Sequence, residues 1–317
     1  MALFNITDNE LKQSAVKYRK DLLMMPTISA KATLDHMSLR PGVAGREVVG
    51  QLSGDIELGP YDPNRVDENG VAVTPRVLET FLGSVVKRFD VNEAGKTVYG
   101  ELYAQGQALT NANIAKAVLV YLSAQLGKKL NQSIWGAKRS ANGTKTSELF
   151  DGFDTITAAE IAEGNLSSAK GNYMTVDAIT AANAVDTLKS IYRAASDELQ
   201  GQQVKMFISR DIYNAYVDDY QATVGAVPYN TEFKKTTLEG SDGLCELVPL
   251  VSKKGSSYIH LTPKANMLVG YGAGMADENI RIEKYHEFLL SYVATMYFGV
   301  QFESISPERL MVAKIGA

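Results

Sequence analysis

The chain has 317 residues, of which 45% are hydrophobic and 21% are charged, which is the composition of a globular protein with one large domain or two ordinary ones. The formal net charge of -4 argues against a protein that binds nucleic acid tightly by neutralising its phosphates. No apolar run approaches the ~20 residues that cross a bilayer, which predicts no membrane partner. The single Cys245 excludes an internal disulfide, which indicates a reducing, cytosolic site of synthesis.

The first 50 residues indicate a short helix followed by an extended segment. Residues 8–25 carry apolar side chains at a 4, 3, 4 spacing, which predicts an amphipathic helix that ends at Pro26: Leu11, Ala15, Tyr18 and Leu22. From Thr27 to Gly45 this periodicity is absent, and Arg40-Pro41-Gly42 predicts a turn. We interpret this region as an arm that lies across another surface.

A stretch rich in glycine, proline and acidic residues runs from Gly50 to Val73. A loop of more than about 15 residues inside a compact domain is uncommon and is usually functional or disordered. The flanking runs Val48–Leu58 and Val77–Phe89 predict two strands of a long hairpin, although the second run also fits a helix started at Pro75. A projecting two-stranded finger cannot bury both faces alone, so it predicts a neighbouring subunit.

The longest periodic stretch runs from Thr110 to Trp135 and predicts one long core helix. Apolar residues recur at every fourth position, which keeps them on one slowly rotating face: Ile114, Val118, Leu122, Leu126, Leu130 and Ile134. Ala117 and Tyr121 are expected to widen this face, so several elements should pack on it. Thr110 or Asn111 can cap the start, and Gly136 suits the end.

The second half of the sequence predicts a sheet with helices on it. A 3, 4, 3, 4 apolar spacing predicts a helix from Asp177 to Leu199, capped by Thr175 and stopped by Gly201. Val204–Ile208 predicts a buried strand and Ser209 caps a further helix, an order typical of an α/β layer. After a polar loop at 223–243, the strand-like runs are 245–251, 257–261, 267–271, 280–288, 289–302 and 310–315.

Two glycine-containing stretches invite comparison with nucleotide-binding loops. Gly95-Lys96-Thr97 resembles the end of a phosphate-binding P-loop, but Asp90 stands where the motif needs its first glycine. We interpret it as a solvated turn. Gly270, Gly272 and Gly274 follow a predicted strand, but a turn and a strand come next where a dinucleotide site needs a helix. We interpret these glycines as a flexible turn.

The histidines and the cysteine show no pattern of a catalytic or metal site. His36, His260 and His286 lack metal-ligand spacing and are each expected at a surface or an interface. Cys245 begins an apolar strand, which predicts a buried, inert thiol.

Two groups of acidic and amide residues are equally unspecific. Asp218 and Asp219 suggest the solvated end of a helix. Four residues of calcium-ligand type lie close together in the acidic loop, but Val66 occupies a ligand position of the EF-hand pattern: Asp62, Asn64, Asp67 and Asn69. The sequence therefore predicts no catalytic, cofactor-binding or metal-binding residues and no enzyme.

The order of these elements resembles the major capsid proteins of tailed bacteriophages, which have the Hong Kong ninety-seven type capsid fold. An arm and a two-stranded loop precede a long helix that ends in Asn131-Gln132-Ser133-Ile134-Trp135-Gly136, and a turn then leads to Leu149-Phe150-Asp151-Gly152-Phe153. The similarity continues over most of the chain, through the helix at 177–199 and the runs 204–213, 247–251, 280–283 and 306–312. Their order carries the resemblance.

The resemblance implies an α+β fold made of four parts. These are an N-terminal arm at 1–48, an extended β-hairpin loop at 49–90, a peripheral domain built on the long spine helix at 91–200 and 275–305, and an axial domain at 201–274. The axial domain would contain a central β-sheet flanked by helices, with 306–317 as a returning C-terminal strand.

The resemblance also implies a structural role. The chain would assemble into hexamers and pentamers of an icosahedral head shell around double-stranded DNA, which it would contact weakly and without sequence specificity. The portal and possible decoration proteins are further implied partners. The region before Gly50 is too short for the scaffolding segment of some family members, which implies a separate scaffolding protein. The implied location is the virion, after assembly in the host bacterial cytoplasm.

The sequence departs from the family in one respect, and two alternatives stay open, one with the same fold and one based on the glycine turns at 95–97 and 270–274. Some members join subunits through a lysine in the extended loop and an asparagine on a neighbour, but residues 50–86 contain no lysine and residues 283–288 no asparagine. We therefore predict no crosslink of this kind. A bacterial nanocompartment shell that encloses cargo enzymes has the same fold, and packaged nucleic acid would distinguish it. A soluble nucleotide-binding enzyme is the remaining alternative, which a nucleotide-binding assay would test.

Overall fold

The computed structural model describes residues 31–53, 61, 72–90, 111–224, 236–273, 280–286 and 289–316. The predicted helix at 8–25, the P-loop-like turn at 95–97, the calcium-type residues at 62–69 and Gly274 lie outside the described residues.

The described residues form six α-helices and twelve strands. The helices are α1 (Lys31–Leu34), α2 (Asn111–Ser133), α3 (Phe153–Ala162), α4 (Ala184–Arg193), α5 (Asp197–Gln200) and α6 (Arg210–Val224). The strands are β1 (Ser38–Pro41), β2 (Arg46–Ser53), β3 (Ala72–Glu79), β4 (Phe81–Asp90), β5 (Tyr173–Val176), β6 (Val204–Ser209), β7 (Cys245–Leu250), β8 (Tyr258–Thr262), β9 (Met267–Ala273), β10 (Ile280–Lys284), β11 (Leu289–Phe302) and β12 (Met311–Ile315). They make two five-stranded sheets and one two-stranded sheet, so the fold is α+β.

The first sheet is organised around β11, a strand of 14 residues. β4 pairs antiparallel with β11 along one side, from Leu289 to Phe298, and β10 and β9 pair with the other side in succession. β1 then joins β9 in parallel. Alternate side chains of β11, including Tyr292 and Phe302, are buried, because side chains of a strand alternate between its two faces. The predicted strand at 289–302 is confirmed.

The long helix α2 confirms the predicted spine helix and packs on this sheet. The hydroxyl oxygens of Ser123 and Tyr292 lie 3.2 Å apart in this contact, and Leu130 and Ile134 are buried in the main core. Tyr121, expected on the apolar face, is instead 62% exposed. It shares the solvent side of the helix with other exposed positions at helical spacing, Gln125, Lys128 and Gln132.

The second sheet has the strand order β5-β12-β8-β6-β7 and confirms the predicted α/β layer. β6 and β7 are parallel and α6 connects them, while β8 lies antiparallel to both β6 and β12. The Ser209 hydroxyl accepts a hydrogen bond from the Ile212 amide at 3.3 Å, so the predicted cap of α6 is present. An apolar core lies between this sheet and α4, with Leu188, Met206 and Leu261 fully buried.

The predicted helix at 177–199 is wrong in its bounds. Thr175, the expected cap, lies in β5, where it pairs with Lys314 of β12. The Asn183 side chain accepts hydrogen bonds from the Thr180 amide at 2.7 Å and the Thr180 hydroxyl at 3.1 Å, and the helix starts only after this turn. A second cap at Ser196, whose hydroxyl accepts from the Leu199 amide at 3.2 Å, then separates α5 from α4.

The strand pairing of the extended loop also differs from the prediction. β2 pairs antiparallel with β3, so a hairpin exists, but its second strand begins at Ala72. β3 ends at Glu79, Thr80 separates the two strands, and the rest of the predicted run 77–89 lies in β4, which pairs with β11. The Thr80 hydroxyl donates to the Val43 carbonyl at 3.1 Å, which fixes the chain at this change of partner. The alternative helix from Pro75 is wrong.

The glycines at 270 and 272 lie inside β9 and do not form the predicted flexible turn. A Cβ atom at Gly270 would lie 2.7 Å from the Thr80 methyl carbon, and one at Gly272 would lie 2.8 Å from the Val43 carbonyl oxygen. Glycine is needed at both positions because neighbouring segments pass directly over this strand.

Candidate functional site

The β2–β3 hairpin presents an apolar outer face to solvent. Val48 and Val77 are directly opposite each other in the register, and both are exposed, Val48 at 73%. Beside them, Arg46 and Glu79 form an ion pair at 2.9 Å. The inner face instead contributes Leu78 to a buried cluster on the first sheet. The alternation of a strand therefore gives this hairpin one face that packs on the rest of the chain and one face that is exposed to solvent.

A set of buried polar contacts fixes the base of the hairpin. The Arg76 guanidinium pairs with Glu160 of α3 at 2.5 Å, and both side chains are largely buried, at 12% and 13% exposed. The same guanidinium donates to the Phe302 carbonyl at 3.2 Å and to the Gln301 side chain at 3.1 Å. On β2, the Gln51 side chain accepts from the Ser306 hydroxyl at 3.1 Å. These contacts set the direction in which the hairpin leaves the subunit.

Further apolar side chains are exposed on the first sheet and on the spine helix. Leu82 and Val86 lie on the same face of β4, a strand that pairs only with β11 in the described part of the chain. Arg88 lies one step further along this face and stacks on the exposed ring of Tyr285 at 3.8 Å. Tyr121 is exposed on the solvent side of α2, which packs on the opposite face of this sheet, so the exposed apolar side chains form separate patches.

A polar centre is buried beneath these surfaces, where α3, β8 and the turn after β7 meet. The Lys253 ammonium lies 3.1 Å from the Asp154 carboxylate and 3.0 Å from Nδ1 of His260, and it stacks on the Trp135 ring at 3.7 Å. Nε2 of His260 lies 2.9 Å from the Thr157 hydroxyl. The prediction of a surface or interface position for His260 is wrong, because the residue is fully buried.

Burial governs the protonation of this centre. It lowers the pKa of Lys253 to about 8, although the Asp154 carboxylate acts in the opposite direction. The pKa of His260 lies well below its usual value, first because of burial and second because the Lys253 cation is adjacent. The imidazole is therefore neutral, and its Nδ1 accepts a hydrogen bond from the Lys253 ammonium. Sequence spacing could not reveal this centre, because its residues come from separate elements.

The other candidate residues lie apart from this centre. His286 is exposed, and His36 is half-buried near Lys205 and Glu246. Cys245 is buried as predicted, and burial raises the pKa of its thiol to about 12.

The prediction of a solvated helix end for the two adjacent aspartates is wrong for one of them. Asp218 is exposed, but Asp219 is buried and accepts a hydrogen bond from the Val185 amide at 2.8 Å. This contact satisfies an amide in the first turn of α4, so Asp219 joins the two helices α4 and α6.

Neither a metal site nor a membrane span emerges from the described ranges. Within them, no group of three or more histidine, cysteine or acidic side chains is arranged to hold a metal ion. None of the helices in this part of the chain is long and apolar enough to cross a membrane.

Known structures resemble this one over most of its length, although no known protein family and no curated protein matches the sequence. A chain of the satellite phage P4 procapsid that includes the size determination (Sid) protein has a TM-score of 0.54 and 13% identity, with 92% of this chain and 91% of that chain covered. A chain of the cyanophage A-1(L) capsid has a TM-score of 0.54 and 14% identity, with 92% of each chain covered. A chain of the capsid of a native GTA particle has a TM-score of 0.52 and 12% identity, with 90% of each chain covered. The chain therefore has the Hong Kong ninety-seven type fold of phage major capsid proteins.

Proposed function

We propose that this chain is the major capsid protein of a tailed bacteriophage, a structural protein that assembles into the icosahedral head shell around double-stranded DNA. The observation that carries the proposal is the capsid fold, which aligns over about nine-tenths of this chain and of phage capsid subunits. A fold alone does not determine a function. The arrangement of exposed apolar faces on a hairpin, an edge strand and a long helix supports the same role.

The proposed assembly uses many repeated heterologous contacts. The outer face of the hairpin, with Val48 and Val77, would lie on a neighbouring subunit, and the exposed side of the spine helix around Tyr121 would receive another contact. The individual contacts need not be strong, because closure into hexamers, pentamers and a shell makes the assembly multivalent. We retain the proposed division into arm, extended loop, peripheral domain and axial domain for this assembly.

The proposed partners follow from the same role. A net charge of -4 fits a shell that contacts DNA weakly and without sequence specificity, because strong phosphate neutralisation needs a basic surface. A separate scaffolding protein, a portal and decoration proteins are the other proposed partners. The proposed location is the virion, after assembly in the bacterial cytoplasm.

Electron microscopy and light scattering of the purified protein, with an assay for nuclease-protected nucleic acid, test this proposal. We expect closed shells, or capsomers that close when scaffold is added, and protected double-stranded DNA in native particles. Shells that protect cargo protein and no DNA would favour the nanocompartment. A stable monomer or dimer under all conditions would contradict the shell function itself.

A further inference from the structure

A lysine and an aspartate form an ion pair inside the main core. Lys253, 1% exposed, ends a short turn after β7, and Asp154 lies in the first turn of α3, 99 positions away in the sequence. Their nitrogen and oxygen atoms are 3.1 Å apart, so Cγ of Asp154 is no more than one C–O bond length further from the Lys253 nitrogen. Phe153, Phe207 and Phe302, all buried, belong to the same core cluster as Trp135, whose ring covers the lysine.

Burial in this apolar setting favours the reactive form of the lysine, because desolvation penalises the ammonium more than the neutral amine. In the reaction the ammonium would pass its proton to the carboxylate beside it. A desolvated, neutral lysine is a nucleophile, and a protonated carboxyl group is an electrophile with water as its leaving group. The lowered pKa of Lys253 has the same cause.

His260 supplies the proton acceptor for such a reaction. Its Nδ1 lies 3.0 Å from the Lys253 nitrogen, within reach for general base catalysis, and 4.0 Å from the Asp154 oxygen. The Thr157 hydroxyl, 2.9 Å from Nε2, holds the ring in this orientation. One imidazole nitrogen therefore faces both the nucleophile and the leaving oxygen.

We propose that Lys253 and Asp154 condense to an isopeptide bond inside the folded subunit. The proton of the ion pair moves to the carboxylate, and the Lys253 nitrogen attacks Cγ of Asp154. Nδ1 of His260 takes a proton from the attacking nitrogen and returns it to the departing oxygen. The new bond joins Nζ to Cγ, the Cγ–O bond breaks, and one water molecule leaves. The reaction needs no oxidant, reductant or cofactor.

The bond would tie α3 to the turn after β7, and so join the part of the subunit that carries the spine helix to the second sheet. It lies within one chain, so it produces no ladder of linked subunits on a denaturing gel. It is therefore distinct from the crosslink between subunits that the sequence argues against, and it does not depend on the proposed shell function.

Mass spectrometry of the full-length, denatured protein tests the proposal without any variant. We expect a mass about 18 Da below that of the sequence, and a tryptic digest with one branched peptide, uncleaved after Lys253, that contains both residues. The branched peptide decides the assignment, because a succinimide at Asp151, which precedes Gly152, would give the same loss of mass. Recovery of the Lys253 and Asp154 peptides as separate, unmodified species would overturn the proposal.

Matched variants identify the reacting groups. Lys253→Arg keeps the positive charge but lacks the nucleophilic amine, so we expect the full sequence mass and no branched peptide. Asp154→Asn should form the same bond by loss of ammonia, about 17 Da, because an amide is also attacked at Cγ. His260→Gln should lower the bonded fraction at early times after synthesis without abolishing it. Formation of the branched species in Lys253→Arg would contradict the assignment.

Discussion

The ion pair between Arg76 and Glu160 allows a quantitative test of how the hairpin is held. We expect Glu160→Gln to destabilise the subunit strongly, because the Arg76 guanidinium would remain buried with only neutral acceptors, the Phe302 carbonyl and the Gln301 side chain. Glutamine keeps the size of the side chain, but only one of its two terminal atoms accepts, so it can accept from Arg76 or from Asn165, which donates to Glu160 at 2.8 Å, and not from both. The substitution therefore removes the charge together with one acceptor.

The burial of both partners sets the magnitude. At 12% and 13% exposed, this pair is far from the surface regime in which ion pairs contribute little. Removing one partner of a buried pair costs about 3 kcal/mol or more, whereas replacing both by apolar residues of similar size is close to neutral. We therefore expect Glu160→Gln to cost about 3 kcal/mol, and Arg76→Met combined with Glu160→Met to recover most of that loss.

Urea unfolding of the unassembled subunit, followed by circular dichroism, measures these changes in a double-mutant cycle. The wild type, Arg76→Met, Glu160→Met and the double variant close the cycle, and we expect the coupling energy to favour the pair and to exceed the cost of either single variant, because the double variant recovers most of the loss. A cost below about 1 kcal/mol for Glu160→Gln, the range of exposed pairs, would refute the argument. Shell assembly should fall in the single variants, because the hairpin base is no longer held.

Four further positions give sharp outcomes. The pKa of His260 is lowered in the folded state, so the neutral imidazole contributes fully to stability above the pKa of the unfolded state. As the pH falls below that value, the free energy of unfolding should drop by about 1.4 kcal/mol per pH unit. Unfolding measured at a series of acid pH values should show a smaller drop in His260→Gln. The Cys245 thiol, with its pKa raised to about 12, should resist iodoacetamide at pH near 8 until urea is added, as read by mass. Gly299→Ala should lower the free energy of unfolding, measured by thermal unfolding, by about 2 kcal/mol or more, because the new Cβ would lie against a backbone carbonyl. Gly136→Ala is the control and should leave the stability unchanged, because no atom lies within 4 Å of its Cβ position. Val48→Asp should block shell formation while Val48→Thr permits it, as sedimentation would show; normal shells from Val48→Asp would exclude this face from assembly.

Patterns set by one element were predicted well from the sequence. The spacing from Leu122 to Ile134 identified α2, and the Ser209 cap marked the start of α6, because periodicity and capping depend on residues close in the sequence. The capsid fold was predicted differently, from the resemblance of the order of these elements to a known family. The sequence predicted that β2 pairs in a hairpin. It did not predict that most of the run 77–89 leaves this hairpin as β4 and pairs with β11.

Features made by distant residues escaped prediction. His260 was predicted at a surface or an interface. This was wrong because its partners Lys253 and Thr157 come from separate segments and contact it only in the folded chain. Asp219 was assigned to solvent, although it caps a neighbouring helix. The burial of a polar side chain depends on which elements pack together, and the sequence shows no periodic signal for that.

The base of the hairpin would link the fold of the subunit to the proposed assembly. Backbone packs on backbone at this point, since a Cβ at Gly299 would lie 2.1 Å from the Glu79 carbonyl oxygen, and a Cβ at Gly270 would lie 2.7 Å from the Thr80 methyl carbon. Such contacts leave no room for the hairpin to settle at a slightly different angle, because interiors are close-packed and resist small displacements. The outer face carrying Val48 is thereby held in one direction. In a shell closed by symmetry, a small error of angle is repeated at each contact, so a rigid base matters more for closure than the strength of any single apolar contact.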